Sequence, residues 1–293
     1  MGTWLAVAVL AQFLYALSTL IDKRIVTKSA HIGKPIVYTF YVALLSGFVI
    51  VLAPFVSVPS VYVLVFSTIN AITFTAAIYL LYSALAVSRA SDVAPVVGGV
   101  SAIVTAVLAA LVIDGDVAVV HALPILLLAG GTAVISHFHF TRKAILLTLA
   151  AGAFFGLTVL TTKILFIETT FLDGYFWMRM MNVVVALSLL GVPAFRKAIF
   201  HGGTHASTRA KGLVLGNKIL GGVAAALSAY AVSLGSVALV NSLAGLQFVF
   251  LFIFAVLFAH RLPLFGEKGS HGGWHTLLGV TLIVLGLAAL YIA

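Results

Sequence analysis

The sequence predicts an all-α integral membrane protein with ten transmembrane helices, arranged as two inverted five-helix repeats. Three observations lead there. Of its 293 residues, 63% are hydrophobic and only 8% are charged, with a mean hydropathy of +1.24, and so little charge cannot cover a water-soluble surface. A window of roughly twenty apolar residues crosses a bilayer as a helix, and that ruler marks ten windows along the chain. The run that ends the first window, Leu17, Ser18, Thr19, Leu20, Ile21, Asp22, Lys23, is echoed in kind by Leu157, Thr158, Val159, Leu160, Thr161, Thr162, Lys163. The shift from position 17 to position 157 is about half the chain, so residues 1–139 and 140–293 read as related halves of one membrane domain.

The windows run from Trp4 to Ile21, Ile36 to Ala53, Tyr62 to Val87, Val93 to Ile113, Val117 to Ser136, Ala144 to Ile167, Phe171 to Phe195, Gly212 to Leu234, Val237 to Phe258 and Leu277 to Tyr291. They are too long for buried strands and lack the strict alternation of a barrel strand, so each is a helix. No basic residue precedes the first, and its apolar stretch exceeds a cleavable signal core, so it is expected to be retained. In that helix Gln12, Tyr15, Thr19 and Asp22 recur at helical spacing and form a polar stripe. Such a stripe serves either helix-to-helix hydrogen bonding or the wall of a hydrated pathway. The third window carries a second stripe of Thr68, Ile72, Thr75, Tyr79 and Tyr82, with Asn70 off it, and Tyr79 lies deeper than an interface anchor. Pro95, Gly98 and Gly99 mark a kink or close backbone approach early in the fourth. Gly152 with Gly156, and Gly212 with Gly216, have the GxxxG spacing that lets membrane helices touch. His137 and His139 lack carboxylate or thiol company, so they read as a hinge between the halves rather than a metal pair. The absence of cysteine removes disulfides, thiolate metal sites and cysteine nucleophiles.

All but three of the 16 basic residues fall in loops on one face: Lys23, Arg24, Lys28 and Lys34, Arg89, Arg142 and Lys143, Arg196, Lys197, Arg209 and Lys211, Arg261 and Lys268. Asp114, Asp116, Glu168 and Asp173 mark the other face. The positive-inside rule makes the basic side cytoplasmic and places both termini outside a multi-pass protein of the cytoplasmic membrane. This distribution also accounts for the net charge of +9 without nucleic acid. The three remaining cations, Lys163, Arg179 and Lys218, lie within windows. Lys163 and Arg179 are near enough to the outer acids to snorkel and pair with Glu168 and Asp173. Lys218 has no acid within two turns of its own helix and approaches the midplane, where a cation costs about 3 kcal/mol unless it meets water, a partner or a substrate. It leads the functional candidates.

Five windows per half is an odd number, so the second half inserts upside down, and inverted repeats hold substrate near the midplane between them. Tyr82, Ser83, Ala84, Leu85, the short turn from Ser88 to Asp92 and Pro95 in one half are answered by Tyr230, Ala231, Val232, Ser233, Gly235, Ser236 and the helix from Val237 in the other. With Arg179 in Trp177, Met178, Arg179, these motifs resemble the drug/metabolite transporter superfamily, EamA-type ten-helix carriers, over nearly the whole chain. The chain departs from that pattern at Thr39, which stands where a repeat-related arginine would be, and in its termini, since members usually keep theirs in the cytoplasm. The resemblance implies that the first, third, fourth, sixth, eighth and ninth helices line a cavity, nominating Gln12, Tyr15, Tyr79, Lys163, Lys218, Asn241 and Gln247, with Arg179 beside them.

The expected function is secondary transport of a small polar, zwitterionic or anionic metabolite, amino-acid-like, by alternating access. Cations and amides in the lining suit a carboxylate or phosphate. A flippase for lipid-linked or polyprenyl-phosphate substrates is the alternative. No HExxH or GxSxG motif is present, and an enzyme or a cofactor is not expected. The expected partners are the bilayer and a small-molecule substrate, with the chain a monomer; no feature identifies a coupling ion, and Asp22 and Glu168, the candidates for carrying a proton, stand at span ends where a solvated or paired carboxylate is the ordinary case.

Overall fold

The computed structural model describes residues 3–28, 34–88, 90–114, 116, 119–136, 140–201, 208–258 and 274–292. His137 and His139 lie outside them, as do the side chains of Asp22, Lys23 and Arg24. Every regular element described is helical, because a single segment in lipid satisfies its own backbone only as a helix. The helices are α1 (Thr3–Lys28), α2 (Pro35–Leu45), α3 (Val61–Leu85), α4 (Ala90–Val112), α5 (Ala122–Val134), α6 (Arg142–Glu168), α7 (Phe171–Ser188), α8 (Pro193–His201), α9 (Thr208–Leu234), α10 (Val237–Ser242), α11 (Leu246–Phe258) and α12 (Trp274–Ile292). Among the described residues eight stretches are long and apolar enough to span a membrane, and Ala122–Val134 and Trp274–Leu290 are shorter apolar helices. The protein is an all-α, multi-pass membrane protein.

Four windows are less uniform than their hydropathy. The second tightens into a 3-10 helix from Ser46 to Phe55, with Pro54 in its last turn. The fifth yields only the 13 residues of α5 behind a 3-10 turn. The seventh stops at Ser188, and after Leu189–Gly191 the chain restarts at Pro193 as the separate α8. Gly191 and Pro193 explain the break, since proline cannot continue a helix but begins one well. The ninth is divided by a 3-10 turn at Leu243–Gly245 between α10 and α11.

The two halves interleave instead of standing as separate bundles. α1 runs antiparallel along α9, with Trp4 over Gly235 and Ser18 opposite Gly221. α3 runs antiparallel along α6, where the Tyr62 hydroxyl donates to the Ile164 carbonyl at 2.9 Å. α4 also lies along α6, α5 packs on α12, and α2 packs on α7. Glycine makes the α4–α6 approach possible. A Cβ at Gly152 would lie 2.7 Å from Val100 Cβ, and one at Gly156 would lie 2.9 Å from Val104 Cβ. The valines share the glycines' one-turn spacing and seat in the groove they leave. The other glycine pair behaves differently: Gly216 faces open space, and the surroundings of Gly212 are outside the description.

Candidate functional site

The hydroxyl run of α6 is a seam between helices. Asn70 of α3, 2% exposed, donates through Nδ2 to the Thr158 carbonyl at 2.8 Å, to Thr161 Oγ1 at 3.0 Å and to Thr162 Oγ1 at 2.9 Å. Thr158 Oγ1 donates to Thr73 Oγ1 at 3.0 Å. Within lipid such groups must find partners inside the protein. The run Thr158, Thr161 and Thr162 is therefore engaged in holding α3 to α6.

Arg179 sits eight residues into the apolar stretch Phe171–Gly191, roughly 12 Å along the axis. The start of α7 fixes its position. Thr170 accepts from the Asp173 amide at 3.2 Å and donates to Asp173 Oδ2 at 2.7 Å, a variant of the capping box. Asp173 Oδ1 accepts from the Ser57 amide at 2.7 Å, and Trp177 Nε1 donates to the Ser57 carbonyl at 3.1 Å. Asp173 is thus occupied with capping and does not serve as the counter-ion expected for Arg179. The guanidinium instead lies over the rings of Tyr175 and Phe74, with its carbon 4.9 Å and 5.9 Å from their centroids. α7 and α3 thereby meet around one cation. Tyr15 is half-buried on α1.

Polar groups without partners accumulate on the same elements. Arg179 Nε is buried with no hydrogen bond, as are both amide atoms of Asn182, one turn further along α7, and the hydroxyls of Ser67 and Thr75 on α3. Asn182 is 1% exposed. Buried polar atoms are normally paired, so unmatched groups on adjoining helices ask for an explanation. Toward the acidic face the rings of Phe166, Phe171, Tyr175 and Tyr230 form a layer, with Phe171 centroids 5.5, 5.5 and 5.0 Å from the other three.

Lys163 and Asp116 hold the turn between α9 and α10 from its two sides. Lys163 Nζ donates to the Gly235 carbonyl at 2.6 Å and the Val232 carbonyl at 3.1 Å, the usual preference of a cation for a helix C-terminus. Glu168 is not its partner. Asp116, 8% exposed, accepts from Ser236 Oγ at 2.9 Å and from the amides of Val237 at 3.1 Å and Ala238 at 3.3 Å.

The other nominees scatter. Asn241 Nδ2 donates to Ser101 Oγ at 3.0 Å and Thr105 Oγ1 at 2.8 Å, tying α10 to α4. Gln247 Nε2 donates to Thr19 Oγ1 at 2.8 Å, tying α11 to α1. Gln12 is buried on α1. Tyr79 is 41% exposed, beside exposed Ile72, while Thr75 of the same stripe turns inward. Lys218 is half-buried. The α1–α9 register set by Trp4 with Gly235 and Ser18 with Gly221 puts it level with Ile21 of α1. Sequence reading passed over Asn70, Asn182 and Asn217, although an amide inside an apolar window is itself a signal.

No family model and no curated protein matches the chain. A solved crystal structure of a protein is similar at a TM-score of 0.70 and 15% identity, covering 98% of this chain and 96% of that one. At that identity the likeness establishes a shared fold alone.

Proposed function

We propose that the chain is a ten-span carrier of the drug/metabolite transporter superfamily, EamA type, moving a small zwitterionic or anionic metabolite by alternating access. One observation carries the reading: Arg179 is set well inside a spanning helix with ring neighbours where an acid would be expected, among buried polar groups that lack partners. An arginine there costs about 3 kcal/mol, and a carboxylate or phosphate offsets that cost while supplying the missing acceptors. Asn182 adds an amide that both donates and accepts. Ten spans follow if the two shorter apolar helices cross as well. The inverted repeat is supported by reciprocal pairing, α1 with α9 and α6 with α3, since α1 and α6 hold the same place in each half. Asn241 and Gln247 act in this reading by joining the halves, and Lys163 by holding α6 to the end of α9.

The sidedness inferred from charge is retained. Trp4 packs at the α9–α10 turn where Asp116 lies, while exposed Arg142, Lys143, Arg196 and Lys197 mark the opposite end. The aromatic layer around Phe171 then closes the outer side. Because the chain has no cysteine, Glu168→Cys is a unique reporter: a membrane-impermeant maleimide labels it in intact cells if the acidic face is outside.

The deciding experiment is counterflow in proteoliposomes with a panel of amino acids, organic acids and sugar phosphates. Saturable exchange of a carboxylate or phosphate solute, reduced at least tenfold in Arg179→Gln, is the expected result. Movement of a polyprenyl-phosphate lipid with no response to soluble solutes would replace the reading with a flippase.

A further inference from the structure

We propose that α8 is an interfacial helix whose basic face binds the headgroup of an anionic phospholipid in the leaflet on the basic side. The sequence Pro193, Ala194, Phe195, Arg196, Lys197, Ala198, Ile199, Phe200 divides into two faces. Phe195 and Ile199, one turn apart, dock on Phe40, Ala43, Leu44, Ala186 and Leu190, and Ile199 is only 2% exposed. That contact holds α8 against α2 and the end of α7. Arg196, Lys197 and Phe200 are left exposed, Phe200 at 69%. Arg196 and Phe200 are one turn apart, so guanidinium and ring are neighbours on the helix surface. Together with Pro193 and Lys197 they border an open cleft of about 530 Å³.

A large apolar ring next to two basic groups is out of place in water and matched to the headgroup region. There the ring enters the acyl boundary while the basic groups meet phosphates. The elements packed against α8, namely α2 and Leu189–Gly191, contain no acid that would neutralise Arg196. The helix lies where α7 leaves the apolar layer, which places the cleft at headgroup depth. Charge complementarity therefore selects an anionic lipid over a zwitterionic one, and the ring selects a lipid over a soluble phosphate. Nothing here depends on what the protein transports.

The test uses the full-length protein in detergent micelles, titrated with phosphatidylglycerol or phosphatidylcholine and read by native mass spectrometry. The parent should retain phosphatidylglycerol preferentially. A basic group near an anionic surface contributes roughly fivefold, so Arg196→Gln with Lys197→Gln should lower that preference by about twenty-five-fold, and Arg196→Gln alone by about fivefold without shifting the melting temperature, its side chain being exposed. Phe200→Ala should weaken retention of both lipids. Arg142→Gln with Lys143→Gln, exposed at the same end of the bundle, should change nothing. The proposal is overturned if the α8 double variant keeps the parent's preference, if the α6 double variant loses as much, or if glycerol 3-phosphate displaces the lipid at equal concentration.

Discussion

α6 and α1 carry the two similar runs of the sequence, yet their surroundings treat them differently. α6 is fastened on both flanks: Gly152 and Gly156 receive Val100 and Val104 of α4, and Thr158, Thr161 and Thr162 meet Asn70 of α3. Where the similar run of α1 aligns with these positions it carries Gln12 and Ala16, then Ser18, Ile21 and Asp22. Its neighbour α9 presents Asn217, 3% exposed, with both amide atoms unpartnered. Asn70 of α3 finds its acceptors on α6, whereas the amide of Asn217 on α9 finds none. The contrast assigns holding to the α3–α6 seam and leaves an unmatched amide at the α1–α9 seam.

The strongest way to break this comparison is to fill the glycine groove. Gly156→Val brings a Cβ to 2.9 Å from Val104 Cβ and 3.0 Å from the Ser101 carbonyl, and should cost about 3 kcal/mol in unfolding titrations in mixed micelles. Next, Asn70→Ala removes one donor group from three acceptors and should cost about 2 kcal/mol. Asn217→Leu should leave stability unchanged or raise it, because an unpaired amide is what it removes. Equal losses in the two variants would erase the distinction between the seams. Lys163→Met frees the carbonyls of Val232 and Gly235, and should lower stability by about 1 kcal/mol. The smallest effect has the opposite sign. Gly216→Ala meets nothing within 4 Å and should stabilise α9 by less than about 1 kcal/mol through helix propensity, read as a small rise in melting temperature.

Several features were legible because they depend on one chain segment at a time. Hydropathy located the helices, and the spacing of Gly152 and Gly156 announced a contact. The boundary at Pro193 was misjudged because the window average runs through Gly191, where an apolar side chain on either side hides the break. The site was harder. Lys163 and Arg179 look alike in sequence, each a cation a few residues from an acid. Thr170 and Ser57 engage Asp173, and the α9 carbonyls take Lys163, so neither cation meets its neighbouring acid. The level of Lys218 against Ile21 is set by the register of α9 along α1 and is not written in either helix alone.

Composition and periodicity by themselves determined that this chain lives in lipid as a set of helices, that its charges divide between two faces, and that a pattern recurs at mid-chain. Those follow from transfer energies and backbone hydrogen bonding, which each segment obeys alone. Which polar groups meet was decided only by the folded arrangement. A hydroxyl or amide in an apolar helix has no preferred partner until another helix arrives at its level, and the interleaving of the halves supplied partners to Asn70 and withheld them from Arg179, Asn182 and Asn217.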